Sequence, residues 1–322
     1  MSTRLRRMRR SESLRAMVRE THLSPDDFIL PVFVEEGLAE RAPVKSMPGI
    51  WRETEKSVVQ AVKDAESAGV RAVILFGVSR KKDASGSDSI KKGGLLDRMV
   101  SRVRQECPDI ILITDLCFCE YTDHGHCGVI DSCGDVDNDL TLENLQRQAL
   151  IAAQAGADML APSGMMDGAV ASLRRALDGG GFSHLPIMSY STKFASAFYG
   201  PFRDAAGCSL GKGNRRTYQM DPANGREAIR ESLIDEAEGA DILMVKPGMA
   251  YLDVLARLRD QTRLPLAVYQ VSGEYAMIKF AAQAGALNAD DVMMESLLAF
   301  KRAGADLILS YFSVDAAKLL QG

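Results

Sequence analysis

The sequence contains no apolar run that approaches the roughly 18 residues required by a transmembrane helix. Its arginine-rich start has no apolar core of the kind that a signal peptide needs. The formal net charge of -4 is small for 322 residues, so no overall field favours nucleic acid or an anionic membrane as a partner. Together with the unevenly clustered cysteines, these absences favour a protein of the reducing cytoplasm.

The first 25 residues differ in composition from the rest of the chain. Seven arginines occur within the first twenty positions and are interrupted by Leu5, Met8, Leu14 and Met17. A basic tail that binds nucleic acid and an organelle transit peptide would also be rich in arginine. The apolar residues favour a third interpretation, in which residues 1–25 form an extended arm that packs on another subunit.

Short apolar runs alternate with amphipathic segments along residues 26–322, as in a chain of parallel strands and helices. The predicted strands span residues 28–34, 72–77, 110–116, 159–162, 186–191, 242–246, 266–271 and 307–312. Several joins between a helix and the next strand contain glycine, which supplies the left-handed cap that ends a helix. This pattern predicts an α/β fold, a (β/α)8 TIM barrel. A doubly wound open sheet is the alternative, but no glycine-rich nucleotide fingerprint follows the first predicted strand.

Two lysines lie where predicted strands end: Lys246 ends the sixth strand, and Lys193 lies just beyond the fifth. A lysine in apolar surroundings near a second cation loses its proton more easily and can attack a carbonyl. If the strands are adjacent, two ammonium groups about 6 Å apart repel by roughly 3 kcal/mol, equivalent to about two pKa units. The pair therefore predicts Schiff-base chemistry with one amine neutral near pH 7. The alternative for either lysine is a solvated strand terminus.

A cysteine-rich loop follows the third predicted strand. Cys117 and Cys119 are two residues apart, so their thiols face one centre in an extended chain, and glycines allow the loop to return Cys127 to it. Three thiolates suit zinc, and a set of three leaves one position for water or substrate, as in catalytic sites. A redox-active thiol pair and a structural zinc closed by His124 or His126 are the alternatives. The cysteines without this spacing, which are interpreted as bystanders, are Cys107, Cys133 and Cys208.

A long segment beyond Lys193 has little helical period but is rich in aromatic residues, arginines and glycines, and residues 194–220 are therefore predicted to form a lid. Arg203 and Arg215 lie in this segment, and arginine forks bind carboxylates in bidentate fashion. A lid that closes over an acidic substrate is one interpretation, and a solvated basic loop is the other. Ser272 and Tyr311 lie where later strands meet the same face, and suit a second carboxylate, a helix cap or the core.

Several long strings of this sequence resemble the porphobilinogen synthase family, also called the delta-aminolevulinic acid dehydratase family. The resemblance covers nearly the whole chain and is carried by the cysteine loop of residues 115–128 and by residues 190–195 (YSTKFA), 198–203 (FYGPFR), 244–248 (MVKPG) and 270–274 (QVSGE). It implies a (β/α)8 barrel whose amino-terminal arm embraces a neighbouring subunit, usually within a homo-octamer. It also implies that two 5-aminolevulinate molecules are joined, with loss of two waters, to give the tetrapyrrole precursor porphobilinogen.

The resemblance assigns unequal roles to the two lysines. It implies that Lys246 holds the substrate that becomes the propionate-bearing half of the product, whereas Lys193 holds the one that becomes the acetate-bearing half. The residues implied to bind substrate are Arg203, Arg215, Gln219, Ser272 and Tyr311. Arg203 and Arg215 are implied to bind the acetate-side carboxylate. Ser272 and Tyr311 are implied to bind the propionate-side carboxylate.

The resemblance also implies two metals. Cys117, Cys119 and Cys127 match the zinc-using branch of the family, in which the metal lies beside the acetate-side substrate as a Lewis acid. Asp115 is implied as a partner in proton transfer, and Glu231 as a ligand of an allosteric magnesium ion at a subunit interface. Many relatives have an acidic residue where this chain has Gly164, so a hydrogen bond from that position is not expected here.

Two other functions compete with the synthase. A class I aldolase also places a Schiff-base lysine at the end of a barrel strand, but it explains neither the second lysine nor the cysteine cluster. A non-enzymatic zinc-binding protein accounts for the cysteines but leaves two strand-end lysines and a long basic loop unexplained. The sequence therefore favours the synthase.

Overall fold

The computed structural model describes residues 3–208, 210 and 213–321. Residues 1 and 2 of the predicted arm and residues 209, 211 and 212 of the predicted lid lie outside the described residues. Within the described part, one sheet contains every strand. Its strands are β1 (Phe28–Glu35), β2 (Ala42–Pro43), β3 (Trp51–Glu53), β4 (Ala72–Val78), β5 (Ile111–Leu116), β6 (Met159–Pro162), β7 (Met188–Lys193), β8 (Ile242–Lys246), β9 (Leu266–Gln270) and β10 (Leu307–Ser310).

The strands form a barrel. Eight of them follow one another in the order β6-β5-β4-β1-β10-β9-β8-β7, and each neighbouring pair is parallel. Leu160 in β6 also pairs in parallel with Ile187, directly before β7, which joins the two ends of the sheet. This topology confirms the predicted (β/α)8 barrel and excludes the open sheet. The carboxyl ends of all eight strands therefore open on one face, where active sites of this architecture lie.

Each barrel strand is followed along the chain by at least one helix. The α-helices of the described residues are α1 (Glu12–Met17), α2 (Val58–Ser67), α3 (Leu95–Glu106), α4 (Asn138–Ala155), α5 (Ala169–Gly179), α6 (Gly200–Ala205), α7 (Gly225–Glu238), α8 (Leu252–Arg259), α9 (Ser272–Gln283), α10 (Ala289–Arg302) and α11 (Ser313–Gln321). Gly156 ends α4 at φ 101° and Gly239 ends α7 at φ 103°. These are the left-handed caps that the repeated glycines predicted, because a side chain is strained at such φ values.

Aromatic side chains fill the barrel near the carboxyl ends of the strands. The ring of Phe33 lies 5.6 Å from that of Phe76 and 6.1 Å from that of Tyr311, between ring centroids. The Tyr269 ring continues the layer, 6.2 Å from Tyr311 and 6.4 Å from Tyr190. Each such pair contributes about 0.5–1.5 kcal/mol beyond the burial of its surface. The layer gives the catalytic face a rigid floor of low polarity.

The amino-terminal segment stands apart from this core. From residue 3 to residue 20 the side chains are exposed, except that of Leu14, which is half-buried. Met17 in α1 is 80% exposed and Leu5 is 70% exposed. Within residues 3–208, 210 and 213–321, none of the helices combines the length and the apolar character that a membrane crossing requires. The assignment of residues 1–25 as an arm for subunit contacts stays a prediction.

Candidate active site

Lys193 and Lys246 are direct neighbours across strands β7 and β8. Their Cα atoms are register partners, so the two strand-end lysines lie side by side at the catalytic face. The register shifts between Ser189 and Thr192, where β7 advances three residues while β8 advances two. This extra residue is a β-bulge, which breaks the regular alternation of side chains between the two faces of a strand.

The bulge turns hydroxyl side chains of β7 away from the barrel interior and towards helix α7. The hydrogen bonds join Ser189 Oγ to Asp235 Oδ2 at 2.5 Å, Ser191 Oγ to Ser232 Oγ at 2.9 Å and Thr192 Oγ1 to Ser232 Oγ at 2.8 Å. Tyr190 and Lys193 instead share the inner face, although they are three residues apart. The Tyr190 ring lies 5.6 Å from Lys193 Nζ and 5.0 Å from Lys246 Nζ, and so separates the two amines from the barrel floor.

The amine of Lys246 lies in an aromatic box, which we define as the rings of Tyr190, Tyr199, Phe202 and Tyr269. Their centroids are 5.0, 5.4, 5.2 and 4.2 Å from Nζ, respectively. The residue is 5% exposed, and burial, reinforced by the charge of Lys193, lowers the pKa of Lys246 to about 7. Part of the Lys246 amine is therefore neutral near pH 7, in agreement with the expectation for one amine of the pair.

Lys193 is held differently, because its Nζ donates a hydrogen bond of 2.5 Å to the main-chain oxygen of Ser163. Ser163 follows β6, and Gly164 comes next along the chain. A Cβ atom added at Gly164 would lie 3.5 Å from the oxygen of Cys127, an ordinary van der Waals contact. The absence of a side chain at this position is therefore not imposed by the space around it.

The three cysteines of the predicted zinc site converge. The sulfur atoms of Cys117, Cys119 and Cys127 lie within 4.8 Å of one another, and all three side chains are buried. Hydrogen bonds from Cys117 and Cys119 hold the pKa of the Cys127 thiol well below its ordinary value. Three buried sulfur donors this close together fit a thiophilic ion, because zinc bound to sulfur needs donors about 2.3 Å from one centre. The cluster can therefore hold a metal ion.

Other cysteine and histidine predictions have mixed outcomes. Among the described residues, neither His124 nor His126 belongs to the group within 4.8 Å, so the structural zinc closed by histidine is not supported. Among the described residues, Cys208 does not belong to that group either, and its interpretation as a bystander of the metal cluster stays a prediction. Cys208 is buried in the lid, and a hydrogen bond from Cys119 lowers the pKa of its thiol. Cys133 is exposed.

Two carboxylates accompany the cysteines. Asp115 lies in β5, and one of its oxygens lies within 4.8 Å of the sulfur of Cys117 and of a carboxylate oxygen of Glu120. Burial, reinforced by the charge of Glu120, raises the pKa of Asp115 to about 8, while Lys193 and Lys246 act in the opposite direction. The charge of Asp115 thus interacts with the charges of both lysines.

The predicted lid, residues 194–220, begins and ends at the same place. The N–H of Met220 donates to the oxygen of Lys193 at 3.0 Å, and the N–H of Ala195 donates to the oxygen of Met220 at 2.8 Å. Between these ends lie α6 and a 3₁₀ turn, Ala197–Tyr199. Helix α6 has only six residues, too few for the helical period that would have predicted it.

Both lid arginines reach the lysines. One cavity is lined by Arg203, Arg215, Lys193 and Lys246, together with Cys119. Arg215 is buried, and its guanidinium donates to the oxygen of Gly125 at 2.8 Å. The cavity has a volume of about 10 Å³, which is no more than a water molecule occupies. The space between these side chains therefore has no room for a molecule larger than water.

The other predicted binding residues surround this cavity or lie beside it. Ser272 Oγ accepts a hydrogen bond from the N–H of Phe202 at 2.9 Å. Tyr311 Oη lies 3.2 Å from the hydroxyl of Tyr269, whose ring contacts Lys246. Gln219 and Glu231 instead line a neighbouring cavity of about 430 Å³, with other acidic residues around it. Ser272 and Tyr311 are thus linked to Lys246 indirectly, through Phe202 and Tyr269, whereas Gln219 lines a different cavity.

Comparison with known proteins identifies the family. The model of the family described as delta-aminolevulinic acid dehydratase matches residues 2–319. The chain belongs to the delta-aminolevulinic acid dehydratase family. The dehydratase of Escherichia coli K12 is 57% identical over 313 residues, covering 97% of this chain and 96% of the relative. The dehydratase of Helicobacter pylori J99 is 52% identical over 322 residues, covering 100% of this chain and 99% of the relative.

A solved delta-aminolevulinic acid dehydratase has the same fold. The crystal structure of the enzyme from Toxoplasma gondii, described as a complex with its reaction product porphobilinogen, superimposes with a TM-score of 0.97. It is 43% identical, and the match covers 99% of this chain and 92% of that one. These findings confirm the family and the barrel that the sequence predicted.

Tyr190 and Glu120 are among the groups of this site that sequence reasoning missed. Tyr190 was missed because strict alternation places it opposite Lys193, and only the bulge in β7 reverses that. Glu120, which follows Cys119 directly, is buried, and burial raises the pKa of its carboxyl group. An acidic residue beside a cysteine motif was the available signal, but nothing in the sequence indicated that it is buried.

Proposed function

We propose that this family member joins two 5-aminolevulinate molecules, with loss of two waters, to give porphobilinogen through imines on Lys193 and Lys246. The observation that carries the proposal is the pairing of two buried lysines at adjacent strand ends, in one cavity with two arginines. The solved relative is described as a porphobilinogen synthase in complex with porphobilinogen, which agrees with this proposal. The sequential attack of each amine on a ketone releases one water for each imine formed.

The chain's own residues divide the work as follows. Lys246, whose amine is partly neutral at pH 7, attacks one substrate carbonyl, and Lys193 attacks the other. Asp115 lies between the lysines and the cysteine cluster, where it transfers protons. The aromatic box excludes water from the Lys246 imine, which would otherwise hydrolyse.

Substrate carboxylates are recognised on two sides. Arg203 and Arg215 bind the acetate-side carboxylate, and lid closure brings both guanidinium groups to the cavity of the lysines. Ser272 and Tyr311 bind the propionate-side carboxylate near Lys246. Gln219 lines the neighbouring cavity with the lid closed, so its contact with substrate requires the lid to move.

The metal of the cysteine cluster is proposed to be zinc. Cys117, Cys119 and Cys127 would hold it, because three thiolates favour this ion over magnesium or calcium. When bound, it supplies Lewis-acid polarisation of a substrate oxygen on the Lys193 side of the cavity. The outcome of removing one of these thiols is argued in the Discussion.

The rate of imine formation at Lys246 is expected to depend on pH with a midpoint near 7. Because the folded-state pKa is lowered to about 7, the amine gains a proton below this pH and stays neutral above it. Borohydride trapping with 5-aminolevulinate should rise about tenfold from pH 6 to pH 8 and then level off. In a Lys193→Met variant the midpoint should move upwards, since the neighbouring charge is removed. A midpoint that stays near 10 in the wild type would contradict this assignment.

A second metal, an allosteric magnesium ion, is proposed at Glu231. This residue is half-buried, and burial, reinforced by Asp167 and Glu227, raises the pKa of its carboxyl group, which a cation would reverse. A Glu231→Gln variant should lose most of the stimulation by added magnesium while Lys246 still forms its imine. The exposed Glu295→Gln variant serves as the control. Stimulation that persists in Glu231→Gln would show that the ion binds elsewhere.

The assembly and the setting of the reaction are proposed as well. We infer a homo-octamer in which the exposed apolar residues of the arm, such as Leu5 and Met17, pack on a neighbouring copy. Light scattering should give an octameric mass for the full chain and a smaller one after deletion of residues 1–25, and equal masses would count against the arm.

A cytoplasmic location, in tetrapyrrole (heme) biosynthesis, is proposed because the six cysteines are free thiols, as is usual in a reducing compartment. Fractionation that recovers the protein outside the cytoplasm would contradict it.

A further inference from the structure

Glu274 is a fully buried carboxylate in the first turn of helix α9, and it accepts hydrogen bonds from two separate loops. Its Oε2 accepts the N–H of Val271 at 2.7 Å, within its own turn. Its Oε1 accepts the N–H of Met249 at 2.5 Å, and Oε2 also lies 3.4 Å from the N–H of Gly248. Capping of α9 explains the bond to Val271, but it does not explain the bonds to the other loop.

The two loops that Glu274 joins both belong to the active site. Gly248 and Met249 lie directly after Lys246 and Pro247, so this carboxylate fixes the main chain that leaves the Lys246 strand. On the other side, Val271 precedes Ser272, the residue proposed to bind a substrate carboxylate. Glu274 therefore links the main chain that follows Lys246 to the turn that carries Ser272.

The same turn also contacts the lid. Ser272 Oγ accepts the N–H of Phe202 at 2.9 Å and donates to the oxygen of Phe198 at 3.3 Å. A Cβ atom added at Gly273 would lie 2.5 Å from the oxygen of Phe198, so the turn and the lid are packed as closely as their main chains allow. A displacement of the α9 turn would thus displace the part of the lid that contributes Phe202 to the aromatic box.

We propose that Glu274 is a positioning residue for the condensation, which aligns the loop of Lys246 with the turn of Ser272 that seats the lid. The inference rests on the proposed imine at Lys246. A carboxylate is required because both of its oxygens face N–H donors. Glutamine has one acceptor oxygen and one NH2 donor, so in either orientation an amide N–H of Met249 or Val271 would face another donor in a buried site.

The test is an isosteric exchange, Glu274→Gln, with the exposed Glu295→Gln as the matched control. Each protein is incubated with 5-aminolevulinate, reduced with borohydride, and digested so that imines at Lys246 and Lys193 are quantified separately. In Glu274→Gln the rate of trapping at Lys246 should fall by at least about tenfold. The rate of trapping at Lys193 should stay within about twofold of the wild type. In the control, the rates at both lysines should stay within the same limit.

Selective loss at Lys246 supports positioning, whereas parallel loss at both lysines, or an unchanged rate at Lys246, overturns it. If Glu274→Gln does not fold, Glu274→Asp retains the charge but is one methylene too short to reach both loops. Amide hydrogen exchange of residues 248–251 should then accelerate together with the loss at Lys246, and unchanged exchange overturns the proposal. Failure of the wild type to form any imine would instead refute the proposed function.

Discussion

Replacing Lys246 with methionine is expected to lower the rate of porphobilinogen formation by more than about 10⁴-fold. The substitution removes the only atom at this position that can form an imine, while the methionine side chain fills much of the same space inside the aromatic box. The fold should not suffer, because the substitution replaces a buried amine, whose charge burial disfavours, with an apolar group of similar size. A colorimetric assay for porphobilinogen and mass spectrometry after borohydride reduction measure the two effects.

The exposed Lys318→Met variant is the control for a lost lysine charge, and it should retain wild-type activity. The trapping pattern also separates the competing functions. Imines at both lysines in the wild type fit the condensation, an imine at only one of them would favour a class I aldolase, and none would favour a zinc-binding protein without this chemistry. Substantial activity in Lys246→Met would refute the role of this lysine.

Replacing Cys127 with serine is expected to abolish tight zinc binding and to lower activity more than about a hundredfold. Cys127 is the thiol whose pKa is held well below its ordinary value, and a neutral serine hydroxyl cannot substitute for a thiolate donor. Metal analysis of the purified protein should fall from about one zinc ion per chain to a small fraction of that. The zinc content is read independently of activity.

Cys133 offers a matched control, because it follows Cys127 by six positions and its side chain is exposed. Cys133→Ser should keep both its zinc and its activity. Loss of zinc in this variant would show that the ligand set is wrong. Full activity after complete removal of zinc by a chelator would contradict the catalytic role given to Cys117, Cys119 and Cys127.

The site illustrates what sequence patterns reveal and what they leave out. Lys193 and Lys246 were predicted because strand ends are visible as apolar runs, and parallel strands open on one face. The orientation of Tyr190 depends on one extra residue in β7, and the serine-rich run around it carries no mark of a bulge. Local patterns report the periodicity of a strand, whereas its register is decided by the neighbour with which it pairs.

The contact between Cys208 and Cys119 was missed for a different reason. The two residues are far apart in the chain and meet only because the lid folds over the barrel. Neither spacing nor period reports contacts of that kind. By contrast, the three cysteines of the metal cluster lie within eleven consecutive positions, so their convergence followed from local geometry.

Both ends of the lid are hydrogen-bonded at Lys193, and this bears on the free energy that lid opening would require. Because residues 194–220 leave and rejoin the barrel at one point, the lid can swing as a side loop without stretching the strands. Its exposed polar contacts with the rest of the protein include Lys82 with Gly207 (2.7 Å), Ser46 with Asp204 (2.6 Å) and Thr217 with Asp135 (2.7 Å).

Each of these bonds contributes about 0.5–1.5 kcal/mol, so releasing all three costs only a few kcal/mol. A rising lid would in addition lose its buried contacts, such as those of Arg215 with Gly125 and of Phe202 with Ser272. Because both ends of the segment are bonded at Lys193, movement of the loop between them leaves the register of the two lysines in the barrel unchanged.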